Sequence, residues 1–441
     1  MRYLRGVLIG LSIALAGGFG LGFAYSYPPL MIAAAFKAQL LCIGVFEGGR
    51  TPEHVLSQEL SEFGYLSGDV DMQEGRTEAS FLGLMGRSAQ FQPGWGCRLP
   101  FGLEAPLPEV APVQGDDDLD LMRSDNADLV EAVEAWFEPD LKTHAVLVAD
   151  ASGVLHEAYA QGVAPDSALI GWSMSKSVVH ALVGRLVQQG LLSSLDEPLP
   201  QPLWHHHPDD PRAAITWEHL LRMGSGLEWD EDYGTLSDAT RMLLAARSVE
   251  QIPAAKPLVH PVGTHWQYSS GTSNLLSAAA ASLVPDDLQP MRTLLFEPLG
   301  MQTAYAGTDA RGNIVGSSYL AASARDWAKF GRLYLQDGVW QGERLLPEGW
   351  AAHAASEAAL DQSGEDVGRY GAHWWRNPER GDDGAYYPGL PVDAFSAEGF
   401  DGQFLFVIPS RGLVLLRLGA RAPERELLAE RMAAILDALE G

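Results

Sequence analysis

Residues 171–176 read Gly171-Trp172-Ser173-Met174-Ser175-Lys176. Strand-like sequence leads into this hexapeptide, and a helical run from Met174 to Gln189 leaves it, ending at Gly190, a natural helix stop. Ser173 therefore falls at a helix amino terminus. Residues three apart on a helix share a face, so Lys176 brings its amine beside the Ser173 hydroxyl. A neutral amine there takes the serine proton, provided burial or a neighbouring cation lowers its pKa. The helix terminus adds backbone N–H groups for a developing oxyanion. Ser-x-x-Lys alone is a weak pattern, equally suited to an ordinary helix start. The chain has five lysines, at 37, 142, 176, 256 and 329, and only Lys176 has a serine three residues earlier.

Working outward, Asp125 to Phe137 has the apolar spacing of an amphipathic helix, with Leu129, Val130, Val133, Trp136 and Phe137 on one face. Two strand-like runs follow, His144 to Val148 and Gly153 to Tyr159. Near the end, Phe404 to Ile408 and Leu413 to Leu418 flank Pro409-Ser410-Arg411-Gly412, a hairpin signal, and a closing helix runs from Pro423 to Leu439. This order predicts an α+β fold: an antiparallel sheet flanked by helices, with an inserted helical lobe.

A second segment, Pro261 to Gly271, carries Tyr268-Ser269-Ser270 in a turn-rich loop ahead of an apolar helix. With it the chain resembles the serine β-lactamase and penicillin-binding-protein superfamily, in its class C β-lactamase and esterase branch, near the 6-aminohexanoate-dimer hydrolases. That family orders Ser-x-x-Lys, a Tyr-x-Asn or Tyr-x-Ser loop, and a Lys-Thr-Gly-like strand. The first two elements stand in that order, 95 residues apart. Ile215-Thr216 to Gly226-Leu227, Leu299-Gly300-Met301 and Ser323 to Tyr334 look familiar too, so the resemblance covers roughly 125–441.

The resemblance implies a β-lactamase/DD-peptidase-like fold with Ser173 as nucleophile and Lys176 as its base. It also implies Tyr268 as the proton relay to the leaving group, with Ser270 bonded into the Lys176–Tyr268 network. The third element departs from the family pattern. Ala397-Glu398-Gly399-Phe400 is the best match, with Gly399 allowing close backbone approach and the Phe400 N–H as second oxyanion donor. Ala397 cannot supply the cation that holds a β-lactam carboxylate, and Glu398 would repel it. That favours a small-molecule ester or amide substrate, with no metal or organic cofactor. Tyr233, Trp172, Trp266 and Trp374 (beside Trp375) are candidate substrate contacts, as aromatic walls for an apolar acyl or aminoacyl chain. For any one of these tryptophans, plain core packing is an equal alternative. A penicillin sensor that acylates and stalls, and an inactive scaffold of the same fold, remain as alternatives.

Three other patterns carry less. Ser124-Asp125-Asn126 spells a class A β-lactamase motif but precedes Ser173, and reads as a helix cap. Gly171 to Ser175 nearly spells the Gly-x-Ser-x-Gly elbow but lacks its last glycine. His205-His206-His207 lies among prolines and aspartates as a polar loop, with no partner pattern for a metal.

Length and composition frame these motifs. The 441 residues hold 30 Lys and Arg against 57 Asp and Glu, a net charge of −27, with 46% hydrophobic and 20% charged residues. That is globular composition, and the acidic excess excludes nucleic acid as a partner and disfavours adsorption to anionic lipid. Behind Arg2 and Arg5, residues 6–36 carry no charge, and Gly6 to Tyr25 is long enough to span a bilayer. This predicts a signal anchor over 1–26, an extension and acidic linker over 27–120, and the hydrolase over 121–441. The domain is then exported, held at the inner membrane in the periplasm, or secreted if the chain is cut after Ala24-Tyr25-Ser26. In an exported chain, the two cysteines, Cys42 and Cys97, read as a disulfide, with two separate buried thiols as the alternative.

Overall fold

A computed structural model describes residues 28–102, 107–111, 113, 126–207, 209–361, 368–379, 381 and 384–440. The segment expected to be an anchor, 1–26, and most of the acidic linker lie outside the described residues.

The central sheet has six strands, all antiparallel. Their order is Trp375–Arg376, Phe395–Gly399, Gln403–Ile408, Leu413–Gly419, Thr143–Asp150, Val154–Tyr159. The carboxy-terminal hairpin falls where its turn residues place it, and its second strand pairs with a strand from far earlier in the chain, Leu416 opposite Leu147. Successive side chains face opposite sides. Leu147, Leu405, Val414 and Leu416 pack into the larger core, while Val148, Phe406, Ile408 and Leu415 face the other layer. Both faces are buried, which is why these strands read as continuous apolar runs. Helices Ala127–Glu134 and Arg425–Glu440 cover one face. Helices Met174–Gln188 and Ala324–Leu335 cover the other, where Gly331 lets the second helix approach Val414 so closely that a Cβ would lie 2.7 Å from its side chain.

Between residues 170 and 320 the chain leaves this sheet for a mainly helical layer that includes Trp217–Leu221, Asp238–Ala245 and Ser270–Ser282. Strands Leu169–Ile170, Leu320–Ala322 and Tyr305–Ala306 form a small sheet at its entrance and exit.

The region from residue 28 has a structure that the sequence reading did not anticipate. Pro28–Glu47 is a single apolar helix of 20 residues. By length and composition it could cross a membrane, yet most of its apolar surface is buried in the protein. A four-stranded antiparallel meander follows, Asp69–Asp71, Arg76–Phe81, Leu84–Gln92 and Gly96–Arg98. Cys42 in the helix and Cys97 in the last strand form a disulfide, with Cα atoms 6.0 Å apart. Leu41, Val45, Ala89 and Leu99 share one apolar cluster with Ala168, Trp172, Met242 and Tyr319, so this core is continuous with that of the remaining chain.

Candidate active site

The nucleophile turn is assembled by close backbone packing. Strand Leu169–Ile170 ends at Gly171, whose N–H donates to Leu320 O at 2.8 Å. A Cβ on Gly171 would lie 2.3 Å from the Trp327 ring, so only glycine fits. Trp172 adopts a φ of 49°, the left-handed region that a bulky side chain enters only under strain. Ser173 then sits at the amino terminus of helix Met174–Gln188 and makes no side-chain capping bond, which leaves its hydroxyl free for other partners.

Lys176, one helical turn on, is buried. Its Nζ lies 3.0 Å from Ser173 Oγ, 3.0 Å from Ser270 Oγ and 3.1 Å from Ser317 O. Burial brings its amine down to about 8, against the opposing pull of the Glu231 carboxylate. A fraction of the amine is then neutral near pH 8 and can accept a proton. Asn274 holds the Ser317 segment in place, accepting its N–H at 3.1 Å.

Tyr268 crosses above Lys176, whose Nζ is 4.8 Å from the ring centroid. Its ring stacks on Trp375 at 5.5 Å and meets Tyr370 edge-on. Burial and the Glu231 charge push its phenol pKa up, while a hydrogen bond with Ser173 pulls it down. Tyr268 is therefore a neutral phenol beside the nucleophile.

Glu231 is the residue missed in the sequence, although it stands two places before Tyr233. Its carboxylate accepts from Ser270 Oγ at 2.5 Å, Ser270 N–H at 2.8 Å, Tyr233 OH at 2.9 Å and Trp229 Nε1–H at 2.5 Å. Four donors around one half-buried carboxylate fix Ser270, and through it Lys176. An acidic residue inside an aromatic loop was the available signal.

Gly399 ends its strand against the nucleophile turn. A Cβ there would lie 2.2 Å from Gly171 O, so the two backbones touch and Phe400 is carried beside Ser173's turn. Gln403 pins this corner by donating to Phe400 O and Gly419 O. Ala397 is fully buried. Glu398 does not act as a free repelling charge: Arg369 Nη2 lies 2.7 and 2.8 Å from its two oxygens, and Tyr387 and Ser396 also donate to it.

A cavity of about 840 Å³ opens in front of Ser173 and is lined by Trp172, Tyr233 and Phe400, among others. Tyr233 turns its hydroxyl inward, 3.0 Å from Ser270 Oγ, and its ring toward the cavity. Two expected substrate contacts are corrected. Trp374 is fully buried and packs on Tyr334, Phe395 and Phe330 in the core. Trp266 packs on Tyr370, Trp375 and Tyr268 and does not line the cavity; it stands behind Tyr268.

The chain is similar to known proteins in sequence and in fold. The beta-lactamase family model matches residues 131–440. The 6-aminohexanoate-dimer hydrolase of Paenarthrobacter ureafaciens is 26% identical over 303 residues, 63% of this chain and 72% of that protein. Among solved structures, a penicillin-binding protein homolog from Caulobacter crescentus superposes with a TM-score of 0.57 at 19% identity, covering 72% of this chain and 98% of that one. A class C beta-lactamase from Rhodobacter sphaeroides gives 0.54 at 16% identity, covering 71% and 99%. These structural likenesses concern the fold.

Proposed function

The chain belongs to the beta-lactamase family, and on that premise we propose that it is a serine hydrolase that cleaves an ester or amide through an acyl-enzyme on Ser173. The observation that carries this is the buried Lys176 amine, brought down to about 8 and 3.0 Å from Ser173 Oγ. The neutral amine takes the hydroxyl proton as Oγ adds to the substrate carbonyl. The N–H groups of Ser173 and Phe400 receive the oxyanion, which backbone contact at Gly399 supports. Tyr268 passes a proton to the leaving alcohol or amine, the carbonyl re-forms, and the acyl group stays on Oγ. Water then adds along the reverse proton path and releases the acid. Ser270 and Glu231 hold the lysine in place.

The buried Ala397 and the Glu398–Arg369 pair leave no lysine where a β-lactam carboxylate would be held in relatives with Lys-Thr-Gly. This supports neutral esters or amides over β-lactams. The Cys42–Cys97 disulfide supports an oxidising compartment, and the uncharged run behind Arg2 and Arg5 supports export with an inner-membrane anchor. A start near Tyr25 to Pro28 on sequencing the exported protein would replace the anchor with a cleaved signal.

The test is turnover of p-nitrophenyl acetate and labelling by a fluorophosphonate, wild type against Ser173→Ala. Wild type is expected to do both, and the variant to lose labelling and at least ~10³-fold of turnover. Labelling at Ser173 without turnover would indicate the sensor reading instead, and an active variant would remove Ser173 as nucleophile.

A further inference from the structure

One wall of the cavity is supplied by the amino-terminal helix. Pro28, Ile32, Ala33 and Phe36 face the cavity from successive turns, and Phe63 joins them from the short 3₁₀ turn Ser61–Phe63. Phe36 stacks on Trp172 at 5.7 Å and packs on Phe63 at 5.1 Å, and Trp172 meets Phe400 edge-on at 5.7 Å. An apolar surface therefore links the residue before the nucleophile to Phe36 and, along the helix, back to Pro28. From Phe36 back to Pro28 this surface extends about 12 Å along the helix axis.

The wall is held firmly. Lys37 Nζ donates to Phe63 O at 3.0 Å and Leu66 O at 2.7 Å, and the Cys42–Cys97 disulfide anchors the far end of the helix. Lys142, Arg421, Glu62 and Asp401 also line the cavity. Tyr268, on the leaving-group side of Ser173 in the mechanism above, does not line it. The part of the substrate that enters is then the acyl part.

We propose that helix Pro28–Glu47 is the acyl-binding wall of the active site, and that the substrates are esters or amides of medium-length, unbranched acyl chains such as octanoyl. This rests on the serine-hydrolase reading and adds a substrate class to it. A medium chain would replace water along the Phe36–Ile32–Pro28 surface, with its free end near Pro28.

The experiment uses the full chain and two readouts. The first is the ratio of kcat/KM for p-nitrophenyl octanoate to that for p-nitrophenyl acetate, in wild type, Ala33→Trp and Ile32→Asp. The second is calorimetric binding of p-nitrophenyl octanoate to Ser173→Ala, with and without each wall substitution. The wild-type ratio is expected to exceed ~10, since each buried methylene adds to binding. Both wall variants should cut it at least tenfold and weaken octanoate binding similarly. Thermal melts identify a misfolded variant, and either folded one suffices. A flat ratio in wild type, or one unmoved by a folded wall variant, overturns the proposal while Ser173-dependent acetate turnover leaves the hydrolase reading standing. Octanoate that binds Ser173→Ala through this wall, with no turnover in wild type, supports the wall and overturns the hydrolase reading.

Discussion

At Lys176 two influences oppose each other. Burial favours the neutral amine, and the Glu231 carboxylate favours the ammonium; the balance is a pKa of about 8. Because the working form is neutral, kcat/KM should rise with pH and level off above about 8. Glu231→Gln removes the charge that raises the lysine, so the rising limb should move to lower pH by roughly one unit. Its plateau should also fall, because Ser270 and Tyr233 lose the acceptor that positions them. A limb that stays put or moves to higher pH would remove Glu231 from this role. The pairing of Ser173 with Lys176 was legible because helical spacing alone sets it. Glu231 was not, since a loop brings it to Ser270 and no local period encodes a loop's path. The tryptophans show the same limit. Trp374 and Trp375 are neighbours in sequence, yet Trp375 stacks on Tyr268 while Trp374 points into the core. Proximity to a motif did not say which way either ring faced.

Among the elements, the helix Pro28–Glu47 was the hardest to read. Its apolar composition suits a membrane segment and a core helix equally. Its residues share a core with Trp172 and Met242. At its carboxy-terminal turn Glu47 accepts the Cys97 N–H at 2.6 Å, and its other oxygen has no partner among the described residues. Burial pushes the Glu47 carboxyl up to about 8, against the pull of that N–H bond, so it is mostly protonated at neutral pH. A carboxyl whose pKa is higher folded than unfolded stabilises the fold fully below its unfolded value near 4.5. That contribution shrinks as pH rises and is gone above about 8. Denaturant midpoints should therefore fall between pH 5 and 8.5, and Glu47→Gln should flatten this slope. An identical slope in the variant would place the dependence elsewhere. The carboxy-terminal hairpin was legible by contrast, because Pro409 to Gly412 form the turn between two strands that are apolar apart from Gln403 and Arg417. The meander was not, since its strands alternate with charged residues and its pairing partner for Cys42 lies 55 residues away.

At the scale of the whole molecule, the question is whether the amino-terminal region is a separate module or part of the hydrolase. The fold class was legible because strands at both ends of the catalytic region are apolar enough to need one shared sheet. The joining of residues 28–99 to that region was not, because it depends on contacts between distant segments. Those contacts are numerous in kind. Leu41 and Cys42 share a core with Trp172 and Met242. Lys142 Nζ donates to Gln58 O at 2.7 Å, and Gln289 Nε2 to Gly94 O at 2.8 Å. Gly48 lies so close to Ala168 O that a Cβ would sit 2.8 Å from it. Releasing the region would expose Trp172 and open the nucleophile's own turn to water. The two parts should therefore melt together, with far-ultraviolet circular dichroism, tryptophan fluorescence and Ser173-dependent turnover lost in one coincident transition. Cys97→Ser removes a closed loop worth about 4 kcal/mol on the chain-entropy model. It should lower that single transition by a few degrees without splitting it. If an early transition appeared in the variant with acetate turnover retained through it, the amino-terminal region would be a detachable module, and its part in the site would be lost with it.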